Sequence, residues 1–194
     1  TDPETYAAIS AGKTDGVFQL ESEGMRQMLM KLCPQSLDDV IAAIALYRPG
    51  PMDSIPKYIE ARHHPESIRY CTPKLAPILD VTYGCIVYQE QVMQIFREIA
   101  GYSFGHADVV RRAISKKKQG VLEKEQESFL SGAVSQGIAK EDAQTLFDDI
   151  VSFANYAFNK SHAAAYGVIA FRTAYLRTHY PKEYNSALLS SVLS

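Results

Sequence analysis

The stretch YQEQVMQIFREIAG, residues 88–101, indicates which kind of fold the chain adopts. Its apolar residues recur at steps of three and four, the spacing that places side chains on one face of an α-helix. They are Val92, Ile95, Phe96 and Ile99. The stretch therefore predicts a helix with one buried apolar stripe.

The same helical period continues on both sides of this stretch. Asp2 and Pro3 have the residue types of an N-cap and a first helical turn, so they predict a helix that ends near Gly12. Ser36 with Asp39 resembles a capping box and predicts another helix, which must stop before Pro49. A buried helix face is predicted at Met25, Met28, Leu29 and Leu32, and five further helices at 106–117, 120–136, 140–153, 161–180 and 182–193.

Other parts of the chain are less regular. GVFQL, residues 16–20, is compatible with a short extended segment, and RPGPM, residues 48–52, predicts a rigid turn. Prolines interrupt residues 53–85, where short helices and loops are expected. The fold class is therefore all-α, an irregular multi-helix domain of about eight or nine helices with short extended segments. We expect one domain over residues 1–194, with a subdivision near 50–85 into two helical lobes.

Composition favours a soluble globular protein. The 194 residues are 46% hydrophobic and 22% charged, with a formal net charge of -2. No apolar run approaches the roughly 18 residues of a membrane span, so no membrane partner is expected. The three cysteines form no CxxC pair, which argues against a zinc site and favours reduced thiols in the cytoplasm. The start TDPETYAA lacks a leader, and we expect it to lie inside a longer protein.

A basic run interrupts this near-neutral composition. VVRRAISKKKQG, residues 109–120, places five positive charges between Arg111 and Lys118. A helix over 106–116, turning about 100° per residue, has two faces. One face holds Ala107, Val109, Val110, Ala113 and Ile114, and the other holds Asp108, Arg111, Arg112, Ser115 and Lys116. Lys117 and Lys118 follow where cations favour the helix dipole. The run is either a solvated helix face or a phosphate site.

A second cluster lies in FANYAFNKSHAAAY, residues 153–166. Ser161 is a good N-cap for the helix 161–180, whose first turn then offers free N–H groups to an anion. Lys160 adds a full charge, and His162 and Tyr166 are four residues apart on one face. Asn155, Tyr156, Phe158 and Asn159 add further polar and aromatic groups. Such a combination can hold a phosphate and stack a base. The alternative is an N-capped core helix with a buried histidine.

A metal-binding site for nucleotidyl transfer is not evident in the sequence. Such chemistry uses carboxylates to hold Mg²⁺. The adjacent pairs Asp38–Asp39 and Asp148–Asp149 diverge by about 100° on a helix, so we expect surface or capping residues. There is also no GxxxxGK[ST] loop and no GxSxG elbow. The chain thus has candidate phosphate-binding residues without catalytic or metal-binding ones.

Long blocks of the chain resemble the fingers domain of the C-family bacterial replicative DNA polymerases, the DNA polymerase III alpha subunits. The blocks occur in the family's order over nearly the whole chain. They are GVFQLESEGMR, ALYRPGPM, TYGCIVYQEQVMQI, GYSFGHADVVRRAISKKK and FNKSHAAAYGVIAFRTAYLRTHYP. One departure is SKKK, where some relatives have Gly before the lysines.

The resemblance implies a function and a set of site residues. In the family, a palm domain upstream of GVFQLES carries three aspartates that bind two metal ions, so Mg²⁺ is expected in the parent enzyme and not in this chain. The fingers close over the incoming deoxynucleoside triphosphate. The implied nucleotide- and phosphate-binding residues are Arg111, Arg112, Ser115, Lys116, Asn159, Lys160, Ser161, His162 and Tyr166. The implied DNA or cleft contacts are Arg48, Lys117 and Lys118.

Partners follow from the same resemblance. They are deoxynucleoside triphosphates, template-primer DNA, the palm and thumb domains of the same polypeptide and, through the parent protein, replisome subunits. We expect the isolated fragment to be inactive. Two alternatives stay open: a DNA-backbone binding helical module without a nucleotide pocket, and a helical scaffold without a ligand.

Overall fold

The computed structural model describes residues 2–116, 119–154 and 156–193 of the chain. Eleven α-helices lie in these residues, which confirms the all-α prediction. They are α1 (Pro3–Ser10), α2 (Glu23–Leu32), α3 (Leu37–Leu46), α4 (Ile55–His63), α5 (Ala76–Leu79), α6 (Gln89–Ala100), α7 (Phe104–Ser115), α8 (Gln119–Ser135), α9 (Lys140–Ala154), α10 (Lys160–His179) and α11 (Pro181–Leu193). The count exceeds the expected eight or nine because α4 and α5 form within the proline-interrupted region.

The helices group into two compact units. The first unit comprises Thr1–Ile55 and Ser161–Ser194, and the second comprises Pro56–Lys160. Within the part of the chain that is described, no helix is long and apolar enough to cross a membrane.

The first unit begins with the caps that the sequence predicts. The Asp2 carboxylate accepts the Thr5 N–H at 2.9 Å and caps α1. At α3, Ser36 Oγ accepts the Asp39 N–H, while the Asp39 carboxylate accepts the Ser36 N–H. Both predicted caps are confirmed, and Asp39 is a buried capping residue. The predicted stripe on α2 is also buried, at Met25, Met28, Leu29 and Leu32.

Residues 16–20 fold as consecutive turns, so the prediction of an extended segment there was wrong. Gly16 and Gln19 both have positive φ, at 69° and 64°, which an extended strand does not allow. Thr14 closes the loop from inside, because its buried hydroxyl donates to the Leu20 carbonyl at 2.7 Å. Among the described residues, the β-structure is one isolated parallel bridge, between Tyr88 and Phe158.

The second unit is built around α6. The predicted stripe Val92, Ile95, Phe96 and Ile99 is fully buried. It packs against apolar residues of α5, α7, α8 and α9, including Leu79, Val110, Phe129, Ala133, Phe147 and Ile150. The rings of Phe96 and Phe129 meet edge to face with centroids 5.3 Å apart, an arrangement that aromatic pairs favour. This core fixes α6 and α7, the two helices that carry the basic arginines and their partners.

Helix α7 follows the predicted face with one exception. It begins at Phe104, two residues before the prediction, because Ser103 Oγ accepts the His106 N–H at 3.2 Å. Ala107, Val110 and Ile114 are buried in the core, but Val109 is 63% exposed. The placement of Val109 on the buried face was therefore wrong. It lies about 100° from Val110, beyond the edge of the narrow stripe that α6 covers.

A buried glutamine organises the start of α6. Gln91 is 4% exposed and its Oε1 accepts the N–H groups of Val87 and Tyr88, each at 2.9 Å. Its Nε2 donates to the Ile78 carbonyl at 3.1 Å and to Thr82 Oγ1 at 2.7 Å. One buried side chain thus makes four hydrogen bonds, and it holds residues 87–88 in a defined conformation directly before the helix.

Candidate functional site

The two arginines of α7 share one carboxylate. Arg111 donates to Asp108 Oδ1 through Nη2 at 2.8 Å and through Nε at 3.2 Å. Arg112 Nη2 lies 2.5 Å from Asp108 Oδ2. These hydrogen bonds, from Arg111 first and then from Arg112, lower the pKa of Asp108 below its ordinary value. Asp108 therefore stays ionised near neutral pH and orients both guanidinium groups.

The two arginines differ in exposure. The Arg111 side chain is 19% exposed, whereas the Arg112 side chain is 66% exposed. Arg111 has a further contact with α6, because its Nη1 donates to Gln89 Oε1 at 3.0 Å. The guanidinium of Arg111 is thus fixed between two helices, while Arg112 extends from the helix toward solvent.

Residues 158–160 run beside the start of α6. The Gln89 N–H donates to the Phe158 carbonyl at 3.0 Å, and the Phe158 N–H donates to the Val87 carbonyl at 3.3 Å. These two bonds form the isolated parallel bridge. The contact pairs segments some seventy residues apart in sequence, so residue spacing alone gives no sign of it.

Glu90 binds the end of this segment. Its Oε1 accepts the Asn159 amide N–H at 3.1 Å, and its two oxygens accept the Lys160 backbone N–H at 3.1 and 3.0 Å. The Lys160 ammonium lies 5.4 Å from the centroid of the buried Tyr88 ring, within cation–π range. A carboxylate at the N-terminus of α10 is favourable, because the helix dipole is positive there.

The start of α10 differs from the prediction. The helix begins at Lys160, so Ser161 lies in its first turn and the prediction of Ser161 as the N-cap was wrong. The physical reason is that Glu90, on another helix, accepts the Lys160 N–H and takes the capping role that the sequence pattern gave to Ser161. Asn159, which precedes the helix, binds the same carboxylate.

These contacts define one group of residues, which we call the α6 N-terminal cluster. Its members are Gln89, Glu90, Asp108, Arg111, Arg112, Asn159 and Lys160, and all of them lie in the second unit. The structure therefore brings the arginine pair and the first half of the FNKSH segment to the same end of α6. Three cationic side chains face two carboxylates, so the cluster has a positive net charge.

Ser161, His162 and Tyr166, the residues of the second sequence cluster that follow Lys160, lie in the first unit. His162 and Tyr166 are in contact on α10, with ring centroids 4.2 Å apart, as their spacing predicts. Tyr166 also contacts Phe18, with centroids 5.2 Å apart. His162 and Ser161 are exposed, so the alternative of a buried core histidine is wrong. The three rings form an aromatic group on the accessible side of α10.

Two other predicted site residues, Lys116 and Arg48, lie outside the α6 N-terminal cluster. Lys116 is exposed and forms the C-cap of α7. Arg48 is half-buried after α3, and its carbonyl accepts the Met52 N–H at 3.2 Å across the RPGP turn. Lys117, Lys118, Asn155 and the side chain of Ser115 lie outside the described residues.

Sequence patterns missed Gln89, Glu90 and Gln91 as site residues. All three stand together in YQEQ, immediately before the apolar stripe of α6. The available signal was this polar run at a helix start, where Gln91 occupies the third helical position that a capping residue takes. Their partners on α7 and at residues 158–160 could not be identified without the tertiary structure.

The carboxylates of the described residues are dispersed or already paired. In residues 2–116, 119–154 and 156–193, no group of three or more His, Cys, Asp or Glu side chains could hold a metal ion. Asp38, Asp148 and Asp149 are exposed, as expected for surface residues. The carboxylates Asp108 and Glu90 already accept hydrogen bonds from cations or N–H groups.

Comparison with known protein families shows which family the chain belongs to. The model of the bacterial DNA polymerase III alpha subunit finger domain matches residues 1–137. The chain belongs to this family.

Three curated relatives match nearly the whole chain. The DNA polymerase III subunit alpha of Halalkalibacterium halodurans is 52% identical over 191 residues, which are 98% of this chain and 17% of that protein. The Thermus aquaticus subunit is 50% identical over 97% of this chain and 16% of its own length. The Staphylococcus epidermidis subunit is 45% identical over 99% of this chain and 18% of its own length. The chain thus spans less than a fifth of the length of these relatives.

Proposed function

We propose that this finger domain binds the incoming deoxynucleoside triphosphate in a replicative DNA-directed DNA polymerase, a cytoplasmic nucleotidyltransferase of DNA replication. The observation that carries the proposal is that two adjacent residues at the start of α6, Gln89 and Glu90, bind Arg111 and Lys160. Cations from two distant segments are thereby held at one end of one helix. A triphosphate is a ligand whose charge matches such a group.

The arginine pair suits a triphosphate in geometry as well as charge. A guanidinium group is planar and can bind two phosphate oxygens at once. Arg112 is exposed enough to reach a ligand, and Asp108 holds it in a defined orientation. Lys116, one turn further along α7, and Ser115 supply weaker contacts in this proposal. His162, Tyr166 and Ser161 on α10 supply groups for the base or sugar, since aromatic faces stack on bases.

The reaction proposed for the whole polymerase is attack of the primer 3′-hydroxyl on the α-phosphate, with pyrophosphate as the leaving group. Negative charge develops on the phosphate oxygens during this transfer, and fixed cations stabilise it. In this account Arg111 and Arg112 orient the triphosphate. The chain itself contributes binding and orientation and no general base.

Metal ions have no place on this chain in the proposal. Polymerases of this kind are proposed to use Mg²⁺, but the described residues offer no group that fits it. We therefore assign the catalytic aspartates to a palm domain outside these residues. The palm and thumb domains of the same polypeptide, template-primer DNA and replisome subunits are the proposed partners, and Arg48, Lys117 and Lys118 are proposed DNA or cleft contacts.

Primer extension tests the proposal directly. Arg111→Ala and Lys160→Ala are placed separately in the full-length polymerase subunit, beside Arg97→Ala, an exposed arginine on α6 outside the cluster. A charge-assisted contact is worth about 1.5–3 kcal/mol, so each cluster variant should lower the efficiency of nucleotide incorporation roughly tenfold to a hundredfold. Arg97→Ala should leave it unchanged. Equal efficiency in all three variants would contradict the proposal.

A second function is favoured by the exposure of Arg112 and Lys116 along α7. In this alternative, the basic helix grips the phosphates of template-primer DNA and there is no nucleotide pocket. The slope of log affinity against log salt should then fall by about one for each phosphate contact removed. A DNA affinity that is insensitive to Arg112→Ala and Lys116→Ala at every salt concentration would exclude it.

A further inference from the structure

Gln89 and Glu90 make contacts that a surface helix start does not require. Their side chains point to different partners, one on α7 and the other at the start of α10. Between them, the Gln89 backbone N–H binds the Phe158 carbonyl and fixes the strand-like segment against α6. Buried Gln91 in turn holds the backbone of the two preceding residues, 87 and 88. The backbone before the pair is therefore fixed by buried Gln91, and the side chains of Gln89 and Glu90 each bind a partner outside α6.

We infer that Gln89 and Glu90 are positioning residues for the nucleotide, with Gln89 setting the orientation of Arg111 and Glu90 setting the position of Lys160. The inference rests on the proposed function. Neither residue needs to touch the substrate. Each would act through the cation that it holds.

The contact of Gln89 orients Arg111 without placing a second negative charge on it. Asp108 binds Nε and Nη2 of the guanidinium, and Gln89 binds Nη1. A neutral amide at Nη1 orients the guanidinium and leaves its positive charge in place, whereas a second carboxylate there would neutralise it. A guanidinium group that is already oriented binds a ligand more tightly, because the entropy cost of ordering its side chain is met before binding.

The contact of Glu90 has a different character. It binds the Lys160 main-chain N–H, and the Lys160 ammonium instead lies over the Tyr88 ring. The carboxylate therefore fixes the backbone from which the lysine extends and leaves its charge unpaired by Glu90. It also holds Asn159, so both residues before Ser161 are fixed to α6.

A double-mutant cycle in the full-length polymerase subunit tests the inference. The dependence of single-turnover incorporation on nucleotide concentration is measured for Gln89→Ala, Arg111→Ala and the double variant, and likewise for Glu90→Ala, Lys160→Ala and their double variant. Gln94→Ala and Glu98→Ala are matched controls, a glutamine and a glutamate exposed on the same helix. Affinity for primer-template and thermal unfolding are measured in parallel, so that a folding defect is recognised.

The expected result is a loss of incorporation efficiency of about threefold to tenfold for Gln89→Ala and Glu90→Ala, the size of one hydrogen bond. The loss should disappear when the partner cation is already absent, because the positioning residue then has nothing to position. DNA affinity and the two controls should not change. Glu90→Gln keeps an acceptor at the same place and should restore most of the activity lost in Glu90→Ala.

Three results would overturn the inference. Losses that multiply in the double variants would show that Gln89 or Glu90 acts independently of its partner. A loss that Glu90→Gln fails to restore, together with lower thermal stability, would indicate a purely structural role. Unchanged kinetics in Gln89→Ala and Glu90→Ala, with reduced efficiency in Arg111→Ala and Lys160→Ala, would remove the positioning role and leave the proposed function standing. If Arg111→Ala and Lys160→Ala are also unchanged, the proposed function itself fails.

Discussion

Asp108 binds both Arg111 and Arg112, with one carboxylate oxygen toward each guanidinium group. The arginines follow Asp108 by three and four residues, so one turn of α7 places all three groups together. The carboxylate orients two flexible side chains, and its single negative charge offsets one of their two positive charges. A site that binds a triphosphate needs both properties, order and a remaining positive charge.

Removing the Asp108 carboxylate should therefore lower the order of the two arginine side chains while it raises their net positive charge. Asp108→Asn keeps one acceptor oxygen but removes the negative charge that pairs with Arg112. The net positive charge of the three residues therefore rises, and the arginine side chains are less well oriented. We expect the maximal incorporation rate to fall about threefold to tenfold, since a misplaced contact loses transition-state stabilisation. Primer-template affinity should hold or increase, because one negative charge is gone. Stopped-flow extension and equilibrium DNA titration check the two quantities separately, and an unchanged rate would contradict the role of Asp108.

The buried Gln91 should be the most sensitive polar residue of the second unit. Gln91→Ala removes the side-chain partner of two backbone N–H groups and a carbonyl, whereas the Thr82 hydroxyl keeps its bond to the Cys85 carbonyl. Each unsatisfied buried group costs about 1–3 kcal/mol, so we expect a loss in the free energy of unfolding of at least about 3 kcal/mol. Chemical denaturation measures it. The exposed neighbour Gln94→Ala is the control and should change stability by less than about 0.5 kcal/mol.

Two glycines of α8 should respond oppositely to alanine. A Cβ on Gly132 would lie 2.4 Å from the Ala100 carbonyl oxygen, and this backbone atom cannot move aside as a side chain can. A Cβ on Gly120 meets no atom within 4 Å. Gly132→Ala should lower the unfolding free energy by about 1–3 kcal/mol, whereas Gly120→Ala should be neutral or stabilising by up to about 1 kcal/mol. Thermal melts of the two variants compare them, and equal behaviour would contradict the close approach of α6 and α8.

The first unit should lose stability in acid through Asp2. The hydrogen bond from His179 is the main cause that lowers the pKa of Asp2 from 3.8 to about 2, and Thr5 adds to it. Because the folded pKa lies below the unfolded one, the contribution is present above pH about 4 and is lost as the pH falls toward 2. Asp2→Asn keeps the N-cap and removes the charge, so it should be less stable than the parent chain at pH 5, and the difference should narrow as the pH falls toward 2. Unfolding followed from pH 5 to 2 tests this, with Glu21→Gln, an exposed carboxylate, as control.

Local patterns predicted much of the fold and less of the site. The caps at Asp2 and Ser36 and the stripe of α6 depend on neighbours within four residues, which the sequence displays. Gln89 and Glu90 bind partners 22 and about 70 residues away, and no spacing rule reports such contacts. Ser161 was misplaced for the same reason, since the group that caps α10 comes from another helix. Val109 shows that a helical face predicts burial only where a neighbouring helix covers it.

The central claim is that the arginine pair of α7 serves the incoming triphosphate. The most direct test is single-turnover primer extension by the full-length polymerase subunit with Arg112→Ala, in which deoxynucleotide and primer-template are titrated separately. The account predicts that incorporation efficiency falls roughly tenfold to a hundredfold while primer-template affinity holds. A fall in primer-template affinity with an unchanged dependence on deoxynucleotide would contradict it and place the basic helix on DNA.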